Sequence, residues 1–530
     1  MTQPMGDADD SGLASGLRQF RPSAVAGLFS RADARYLSPV LLAGVAVYTL
    51  YLVVNAYPGY GAGLYNLMGE QIAANGYLPP ERIPYYTVDG VPFAYPPLMF
   101  YAIALIRDLT GVGPFTLARF FPGLVTIAYL VPTYLLARDL LASRPAASAV
   151  GLLVALNPKV LQWHITAGGL VRAPAFLFAV SGIYAGYRLY TAVETTGYDG
   201  RWLAISALCF GLTLLTHPTY TLFFVGSFVI LWLTLDRSLA GFLRGGVVAA
   251  GGFVLATPWL LWNISTHGLS VFTAASGTHG GIGGGFAVTP WLAVPLLLAV
   301  ALFLVRRPFL GVWTVAAALL FQQARFVAFV GTFAVVALLL PPVRTAVAER
   351  VPRPNRRTLA AVAISITLVG GLGVVGYSMT VAEPSIAPAF VDDDDVAAME
   401  WVGEETSEDA TFVVVGDAAE WFPDVSKRTI TVGLWGVEWE GSQTYSEQVR
   451  LYRSVSHCDS ADCVSETVSE AGVTPDYLYV PKGTYIVRGK RTTGGDQLVE
   501  SLMLSEGYEA AYENDGVVVF RVVSTESAAD

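Results

Sequence analysis

The stretch SPVLLAGVAVYTLYLVVNA, residues 38–56, decides the fold class of this chain. It contains no charged residue and is long enough to cross a bilayer as a helix, which takes roughly 17 to 20 residues. Further apolar runs follow near residues 114–136, 145–158, 170–190, 202–216, 218–235, 245–263, 289–305, 308–321, 326–341 and 358–380. The sequence therefore predicts an α-helical polytopic membrane protein with about 11 transmembrane helices.

The composition agrees with that architecture. Of the 530 residues, 54% are hydrophobic and 14% are charged, and the mean hydropathy is +0.51. Soluble globular proteins carry about 25% charged residues, so an ordinary cytosolic enzyme is excluded, as are disordered and collagen-like chains. Residues 1–380 hold 23 basic and 13 acidic residues, whereas residues 381–530 hold 9 basic and 29 acidic residues. This acidity, with few lysines, is typical of a halophile such as a halophilic archaeon.

The basic residues predict how the chain crosses the membrane. With the N-terminus in the cytoplasm and alternating spans, 17 of the 23 basic residues before residue 381 lie in cytoplasmic segments and 6 lie outside. An odd number of spans then places the acidic part outside the cell. We predict a multi-pass cell-membrane protein with a cytoplasmic tail (1–37), a transmembrane domain (38–380) and an extracellular domain (381–530). Its first external loop (57–95) is unusually long.

The acidic domain has an α/β pattern. Strands are predicted at Thr411–Gly416, Thr429–Val432, Tyr477–Val480 and Gly516–Val523, and helices at Asp395–Glu405, Ser442–Ser456 and Asp496–Ser505. Cys458 and Cys463 lie close together in this domain. The pair could form a disulfide, half of a metal site or two free thiols, and an extracellular location favours the disulfide.

Loops on the outer side carry most of the functional signal. The first half of the first loop, LYNLMGEQIAANG (Leu64–Gly76), has helical spacing and can lie at the membrane surface. The second half, YYTVDGVPFAYPPL (Tyr85–Leu98), ends in a Pro-Pro pair that fixes the chain direction. Another segment, residues 277–285 (GTHGGIGGG), is either a lid over a substrate or a slack connector.

The order of these segments resembles that of the GT-C membrane glycosyltransferases. The features are a first span, a long loop with an amphipathic helix and a Gly-Tyr-Leu-Pro turn, and then Tyr95-Pro96-Pro97-Leu98. Further similar segments are ITAGGLVR (Ile165–Arg172), LLTHP (Leu214–Pro218), QQARF (Gln322–Phe326) and DAAEWFPDVSKRTITVGLWGVEW (Asp417–Trp439). The family includes protein O-mannosyltransferases (glycosyltransferase family 39), lipid A aminoarabinose transferase and oligosaccharyltransferase catalytic subunits.

The resemblance implies a hexosyltransferase active on the outer face of the membrane. It would move a sugar from a polyprenyl (dolichyl)-phosphate donor to a lipid-linked glycan or protein acceptor, by direct displacement at the anomeric carbon. A first-loop carboxylate would deprotonate or orient the acceptor, and arginine would stabilise the leaving lipid phosphate. The resemblance assigns no cofactor, and it leaves open whether a divalent cation takes part in the reaction. The partners would be these substrates and the lipid bilayer, with no nucleic acid.

The carboxylate that the family carries in this loop is absent here. It stands about four residues before an aromatic-Asn pair such as Tyr65-Asn66, where residues 61–63 of this chain are Gly-Ala-Gly. Asp89 and Glu70 are the substitute catalytic candidates within the loop. Alternatively, Asp89 with Gly90 forms only a β-turn, and Glu70 forms only the polar face of the loop helix.

Four residues are predicted to bind substrate. Arg325 and Arg172 lie on the outer side, against the general charge bias and at the depth of a lipid-phosphate head, and arginine binds phosphate bidentately. Tyr95 is expected in the wall of the pocket, and His164 is expected to contact substrate. The alternatives are arginines that snorkel at helix ends and an interfacial histidine.

Two other classes of function compete with a transferase. The missing first-loop Asp suits a non-catalytic accessory protein of the same surface-glycan pathway. A transporter or flippase of lipid-linked intermediates is the third class, although the spans hold almost none of the mid-helix charges that transporters use.

Overall fold

The computed structural model describes residues 30–192, 200–274, 290–321 and 323–523. Most of the predicted cytoplasmic tail and the glycine-rich segment 277–285 lie outside the described residues. Within them, a bundle of apolar helices is followed by a C-terminal domain that contains a β-sheet. The predicted fold class, a helical membrane protein with a C-terminal α/β domain, is confirmed.

The bundle and its connecting segments contain fifteen described α-helices. They are α1 (Arg31–Val54), α2 (Gly63–Ala74), α3 (Leu98–Thr110), α4 (Pro114–Leu141), α5 (Arg144–Ala155), α6 (Pro158–Leu161), α7 (Gly169–Ala192), α8 (Gly200–Leu214), α9 (Pro218–Leu235), α10 (Leu239–His267), α11 (Val271–Ala274), α12 (Ala293–Leu304), α13 (Pro308–Ala316), α14 (Ala324–Arg350) and α15 (Arg353–Thr380). Among the described residues, 7 helices are long and apolar enough to cross a membrane: α1, α4, α7, α9, α10, α14 and α15. The other predicted runs fall on α5, α8, α12 and α13, which have fewer than 18 residues, so the count of eleven spans stays a prediction.

Local sequence signals set where these helices begin. α1 starts with a capping box, in which Ser30 and Asp33 exchange side-chain and backbone hydrogen bonds. α4, α9 and α13 start with proline, whose missing N–H would have no partner in a first turn. Asp33 also pairs with Arg138 at 3.3 Å and with Arg144 at 2.9 Å. These ion pairs join α1, α4 and α5 at the end of the bundle away from the first loop.

The long segment after α1 folds into a layer on the other end of the bundle. Helix α2 buries Leu67, Met68 and Ile72 completely, as its predicted helical spacing requires. Strands β1 (Arg82–Ile83) and β2 (Val91–Pro92) form a hairpin. The sequence pattern did not predict α3, because its 13 residues are too few for a span.

The C-terminal domain is built on a mixed five-stranded sheet. Its strands are β3 (Thr411–Val414), β4 (Thr429–Ile430), β5 (Tyr477–Pro481), β8 (Tyr508–Glu513) and β9 (Val517–Val522), in the order β4-β3-β5-β9-β8. β3 is parallel to β4 and β5, whereas β9 is antiparallel to β5 and β8. A separate hairpin pairs β6 (Thr484–Val487) with β7 (Lys490–Thr493). The helices are α16 (Asp393–Glu405), α17 (Phe422–Ser426), α18 (Ser442–Val455), α19 (Ala461–Glu470) and α20 (Gly495–Met503).

The first-loop layer and the C-terminal domain share one hydrophobic core. Phe93 of the layer and Trp421 of the domain are both fully buried in the same cluster. Beside it, the backbone N–H of Tyr60 donates to the carbonyl oxygen of Pro388 at 2.8 Å. Helices α1 and α15 pack together and both run toward this end of the bundle. The layer and the domain therefore lie on the same face of the helix bundle.

Candidate functional site

A cavity of about 1030 Å³ lies between the helix bundle, the first-loop layer and the C-terminal domain. One side of it is apolar and reaches the surface of the bundle, because Leu222, Phe253 and Leu320 line the cavity and are also exposed. The other side carries charged residues from both parts of the chain, namely Arg172, Arg325, Asp417, Glu420, Glu438, Arg488 and Lys490. Such a cavity can hold a ligand with an apolar chain and a polar head.

Arg325 reaches the cavity from the first turn of α14. A π-helical turn, Ala317–Phe321, lies just before that helix, and such turns are frequent at functional sites. The guanidinium lies 5.1 Å from the ring centre of Tyr220 and 5.2 Å from that of Phe326, and the residue is 8% exposed. Its Nε is buried and has no hydrogen-bond partner among the described residues. A buried cation with an unused donor is suited to an anionic ligand.

Arg172 reaches the same cavity from the first turn of α7. Its guanidinium lies 5.0 Å from the ring centre of Trp163, and its Nη1 donates to the carbonyl oxygen of Gly168 at 3.2 Å. Arg172 and Arg325 are near enough to repel each other electrostatically. A ligand anion that contacts both guanidinium groups would offset this repulsion, so the pair of arginines suits an anionic ligand.

Tyr95, the predicted wall residue, lines the cavity at the start of the Tyr-Pro-Pro-Leu segment. Its ring centre lies 5.7 Å from that of Tyr65, 5.7 Å from that of His217 and 5.8 Å from that of Trp439. These three partners belong to the first-loop layer, the start of α9 and the C-terminal domain. Tyr95 therefore stands where the three parts of the cavity wall meet.

Three carboxyl groups line the cavity from the C-terminal domain. Asp417 is fully engaged, because it accepts from the hydroxyl of Tyr452 at 2.5 Å and from the backbone N–H groups of Arg488 at 2.9 Å and Gly489 at 2.7 Å. Glu420 and Glu438 are half-buried. One oxygen of Glu438, Oε2, has no hydrogen-bond partner among the residues that the structure describes.

The cavity changes the acidity of these two glutamates. Burial raises the pKa of Glu420 to about 8, with a further contribution from the negative charge of Asp417 and an opposing one from Arg172. Burial likewise raises the pKa of Glu438 to about 7, against hydrogen bonds from the protein backbone and the charge of Arg172. Carboxyl groups with such pKa values can take up and release a proton near neutral pH.

A glycine in the first loop makes room for Glu420. A Cβ atom at Gly61 would lie 2.2 Å from Cδ of Glu420 and 2.4 Å from its Oε2. The hydroxyl of Tyr86 donates to the carbonyl oxygen of Glu420 at 2.6 Å, and the indole N–H of Trp421 donates to that of Tyr60 at 3.3 Å. The loop that lacks its own carboxylate at position 61 therefore holds one that comes from another domain.

The two first-loop carboxylates predicted as catalytic do not line this cavity. Asp89 is exposed in the turn between β1 and β2. Glu70 pairs with Lys427 of the C-terminal domain at 2.7 Å and lies 3.8 Å from Arg107. Asp89 thus fits the alternative of a turn residue, and Glu70 fits the alternative of a residue on the polar face of its helix. The catalytic role of either residue stays a prediction.

His164 does not line the cavity either, although it stands behind the cavity wall. It is fully buried, its Nε2 shares a 2.6 Å hydrogen bond with the hydroxyl of Tyr220, and its ring stacks on Phe176 at 4.7 Å. Tyr220 in turn lies against the guanidinium of Arg325. The structure thus places His164 where it supports Arg325 through Tyr220, and contact with substrate stays a prediction.

Two further predictions concern the cysteines and a metal. Cys458 and Cys463 are joined by a disulfide, and Cys209 is free and buried. Among the described residues, no group of three or more His, Cys, Asp or Glu side chains is arranged to hold a metal ion. The sequence pattern did not single out Glu420 or Glu438, although both belong to the segment Asp417–Trp439 that carries part of the family resemblance.

Comparison with known proteins gives matches in structure and none in sequence. No family model matches the chain, and no curated protein matches it. The archaeal oligosaccharyltransferase AglB from Archaeoglobus fulgidus, solved with an inhibitory peptide and a dolichol-phosphate, is similar with a TM-score of 0.55 and 14% identity, over 84% of this chain and 69% of that chain. ArnT from Cupriavidus metallidurans in the apo state is similar with a TM-score of 0.50 and 14% identity, over 93% of this chain and 99% of that chain.

The arabinofuranosyltransferase AftD from Mycobacteria is also similar, with a TM-score of 0.50 and 14% identity, over 93% of this chain and 41% of that chain. At this level of identity the similarity concerns the fold. The chain therefore has the fold of the GT-C membrane glycosyltransferases.

Proposed function

We propose that this chain is a membrane glycosyltransferase that moves a sugar from a polyprenyl-phosphate donor to a glycan or protein acceptor on the outer face of the membrane. The observation that carries the proposal is the pair of arginines, Arg172 and Arg325, on one cavity whose opposite side opens through apolar residues at the bundle surface. A lipid phosphate requires both features together, a cationic site for its head and an apolar path for its chain.

The cavity also suits the reaction. Negative charge grows on the phosphate oxygen as the bond to the sugar breaks, and two preorganised cations in a poorly hydrated site stabilise that charge. A hydrogen bond to a charged group contributes about 1.5–3 kcal/mol, so each arginine matters for donor binding. The solved AglB structure, which contains a dolichol-phosphate and an inhibitory peptide, supports this class of donor and a peptide as one class of acceptor.

The proposed location is the cell membrane, with the N-terminus in the cytoplasm and the cavity outside. The bias of basic residues supports this orientation. So does the disulfide between Cys458 and Cys463, because disulfides form and persist in oxidising surroundings. The cavity lies between the first loop and the C-terminal domain, which share one face of the bundle, so both substrates would be bound from the outer side.

Deletion of the gene in the source organism tests the proposed function. We expect mass spectrometry of surface glycans to show the loss of one sugar, and mass spectrometry of lipid carriers to show that the sugar-charged polyprenyl phosphate accumulates on the outer face. Expression of the full chain should restore both. Accumulation on the inner face would instead identify a flippase. Restoration of the sugar by a chain that cannot bind dolichyl phosphate would identify an accessory protein.

A further inference from the structure

We infer that Glu420 of the C-terminal domain is the group that takes the proton from the acceptor hydroxyl, in the place beside Gly61 where the first loop has no side chain. The inference rests on the proposed function, because it assigns a role within the same cavity. It moves the catalytic carboxylate from the first loop, where the sequence predicts Asp89 or Glu70, to a domain that follows the last membrane helix.

The three cavity carboxylates of the C-terminal domain differ in their contacts. Both oxygens of Asp417 are occupied by a tyrosine hydroxyl and two backbone N–H groups, so Asp417 holds the β6-β7 hairpin in place. Glu438 accepts hydrogen bonds from the backbone N–H groups of Gly436 and Glu438, and its Oε2 has no partner among the described residues. Glu420 is hydrogen-bonded to Trp435, and it is the carboxylate whose atoms lie nearest to a Cβ at Gly61. Its place beside Gly61 is what distinguishes Glu420 from the other two.

The first-loop layer holds Glu420 in place. Its backbone carbonyl accepts from Tyr86, and the next residue, Trp421, is bonded to the carbonyl of Tyr60. Both partners belong to the first-loop layer. The short helical turn Asp417–Glu420 is thus fastened to the loop at its last residue and at the residue that follows. A catalytic group must be fixed to meet its substrate in a reactive geometry.

Charged groups act on Glu420 across the cavity. Arg172 attracts the carboxylates of both Glu420 and Glu438, and it also repels Arg325. Arg172 therefore interacts electrostatically both with Glu420 and with Arg325, the second cation of the proposed phosphate site. An acceptor hydroxyl beside Glu420 and a donor phosphate beside the two arginines would then share one cavity, with the sugar between them.

The chemical step balances with these groups alone. The ionised carboxylate of Glu420 takes the proton of the acceptor hydroxyl, and the oxygen lone pair forms the new bond to the anomeric carbon. The bond between that carbon and the phosphate oxygen breaks, and its electron pair stays on the phosphate. The lipid phosphate leaves with one more negative charge, next to Arg172 and Arg325. The proton on Glu420 returns to water when the products leave. The raised pKa of Glu420 makes it a stronger base than an ordinary glutamate.

The central test is Glu420→Gln, which removes the base and keeps the shape of the side chain. In the deletion strain, we expect this variant to transfer the sugar roughly 100- to 10,000-fold more slowly than the unaltered chain, since this is the usual contribution of a general base. The purified variant should bind dolichyl phosphate as the unaltered chain does, measured by native mass spectrometry. The matched control is Glu447→Gln, an exposed glutamate on α18 of the same domain, which should transfer at the normal rate.

A second variant keeps the inference testable if Glu420→Gln fails to accumulate. Gly61 does not have a left-handed φ, so Gly61→Asp places a carboxylate on the loop without backbone strain once Glu420→Ala has cleared the space. The double variant should transfer at least tenfold faster than Glu420→Ala alone, as expected if a positioned carboxylate at this point is what the reaction needs. A purely structural role of Glu420 would give no such rescue.

The outcomes separate the two claims. If the unaltered chain restores no sugar in the deletion strain, the proposed function fails. If the unaltered chain is active and Glu420→Gln is equally active, the inference fails and the proposed function stands. Loss of transfer in Asp89→Asn or Glu70→Gln, with full activity in Glu420→Gln, would return the catalytic role to the first loop. Loss in Glu420→Gln with normal lipid binding supports the inference.

Discussion

The carboxyl group of Glu420 occupies the space that any side chain at Gly61 would need, because a Cβ at that glycine would lie 2.2 Å from Cδ of the glutamate. The two residues are far apart in the sequence and belong to different domains. Their contact means that either the first loop or the C-terminal domain can supply a carboxylate at this point, but both cannot do so together. Even the smallest side chain at Gly61 would therefore disturb the position of Glu420.

Gly61→Ala should therefore lower sugar transfer without removing any catalytic group. The added methyl would displace the carboxyl group of Glu420, and a misplacement of about 1 Å can cost roughly 100-fold in rate. Initial rates of transfer in the complemented deletion strain would measure the effect. Gly331→Ala is the matched control, because a Cβ at Gly331 meets no atom within 4 Å. A normal rate in Gly61→Ala would show that the position of Glu420 does not matter.

The reaction should also depend on pH in a way that an ordinary glutamate would not produce. Burial raises the pKa of Glu420 from 4.5 to about 8. Because only the ionised form can accept the proton, the rate should fall as the pH drops below about 8, and it should level off above that value. Initial rates of transfer by the purified chain between pH 5 and pH 10, with a lipid-linked sugar as donor, would reveal the profile. A profile that is flat down to about pH 5 would exclude Glu420 as the base.

The donor site can be tested separately from the base. Arg325→Ala removes a buried cation, which costs roughly 1.5–3 kcal/mol and hence about 10- to 150-fold in affinity for dolichyl phosphate. Expression should stay near normal. The guanidinium packs on two aromatic rings, and its Nε has no hydrogen-bond partner among the described residues, so the substitution leaves no polar partner of that nitrogen unsatisfied. Arg344→Ala is the control, since Arg344 is exposed near the other end of the same helix. Equal affinity in both variants would contradict the assignment.

Much of the fold could be predicted from the sequence because the membrane acts on the chain locally. Each apolar run must pair its own backbone groups, so the runs appear as helices near the predicted places. The strands of the C-terminal domain could also be predicted from local sequence, because residues 411–414 and 517–522 are short segments rich in β-branched residues beside turns. Arg172 and Arg325 could be nominated because the predicted topology places these two cations on the outer side, against the general charge bias. Tyr95 could be nominated because it begins the Tyr-Pro-Pro-Leu segment.

The rest of the site depends on contacts between distant segments. Nothing near Gly61 in the sequence indicates that Glu420 fills the space beside it, because that contact requires the C-terminal domain to pack on the first loop. The sequence favours Asp89 and Glu70 because they lie in the loop where the family carries its carboxylate. In the structure, however, the hairpin turn leaves Asp89 exposed, and Lys427 pairs with Glu70. The packing of two domains therefore decides which carboxylate reaches the cavity.

The cysteines give a simple chemical prediction. Cys458 and Cys463 are joined, whereas Cys209 is a free thiol buried in the bundle. Thiol labelling of the denatured, unreduced chain should modify Cys209 alone, and labelling after reduction should modify all three residues. Mass spectrometry of the peptides would identify the sites. Labelling of all three before reduction would rule out the disulfide and weaken the argument for an extracellular domain.

The last prediction is that the C-terminal domain and the first loop lie together outside the cell. They share a hydrophobic core, and α1 and α15 both run toward the end of the bundle on which they pack. The orientation of the bundle in the membrane therefore decides on which side both the first loop and the C-terminal domain lie. The 17 basic residues assigned to the opposite side predict that this side faces the cytoplasm.

A tag at the C-terminus should be cut by protease added to intact cells, and a tag at the N-terminus should be cut only after lysis. A cysteine introduced at Asp89, which is exposed in the first loop, should react with a membrane-impermeant thiol reagent in intact cells. Protection of both the C-terminal tag and this cysteine would reverse the orientation. Protection of one without the other would contradict the shared core of the first loop and the C-terminal domain. It would then also contradict the cavity in which Glu420 meets Gly61.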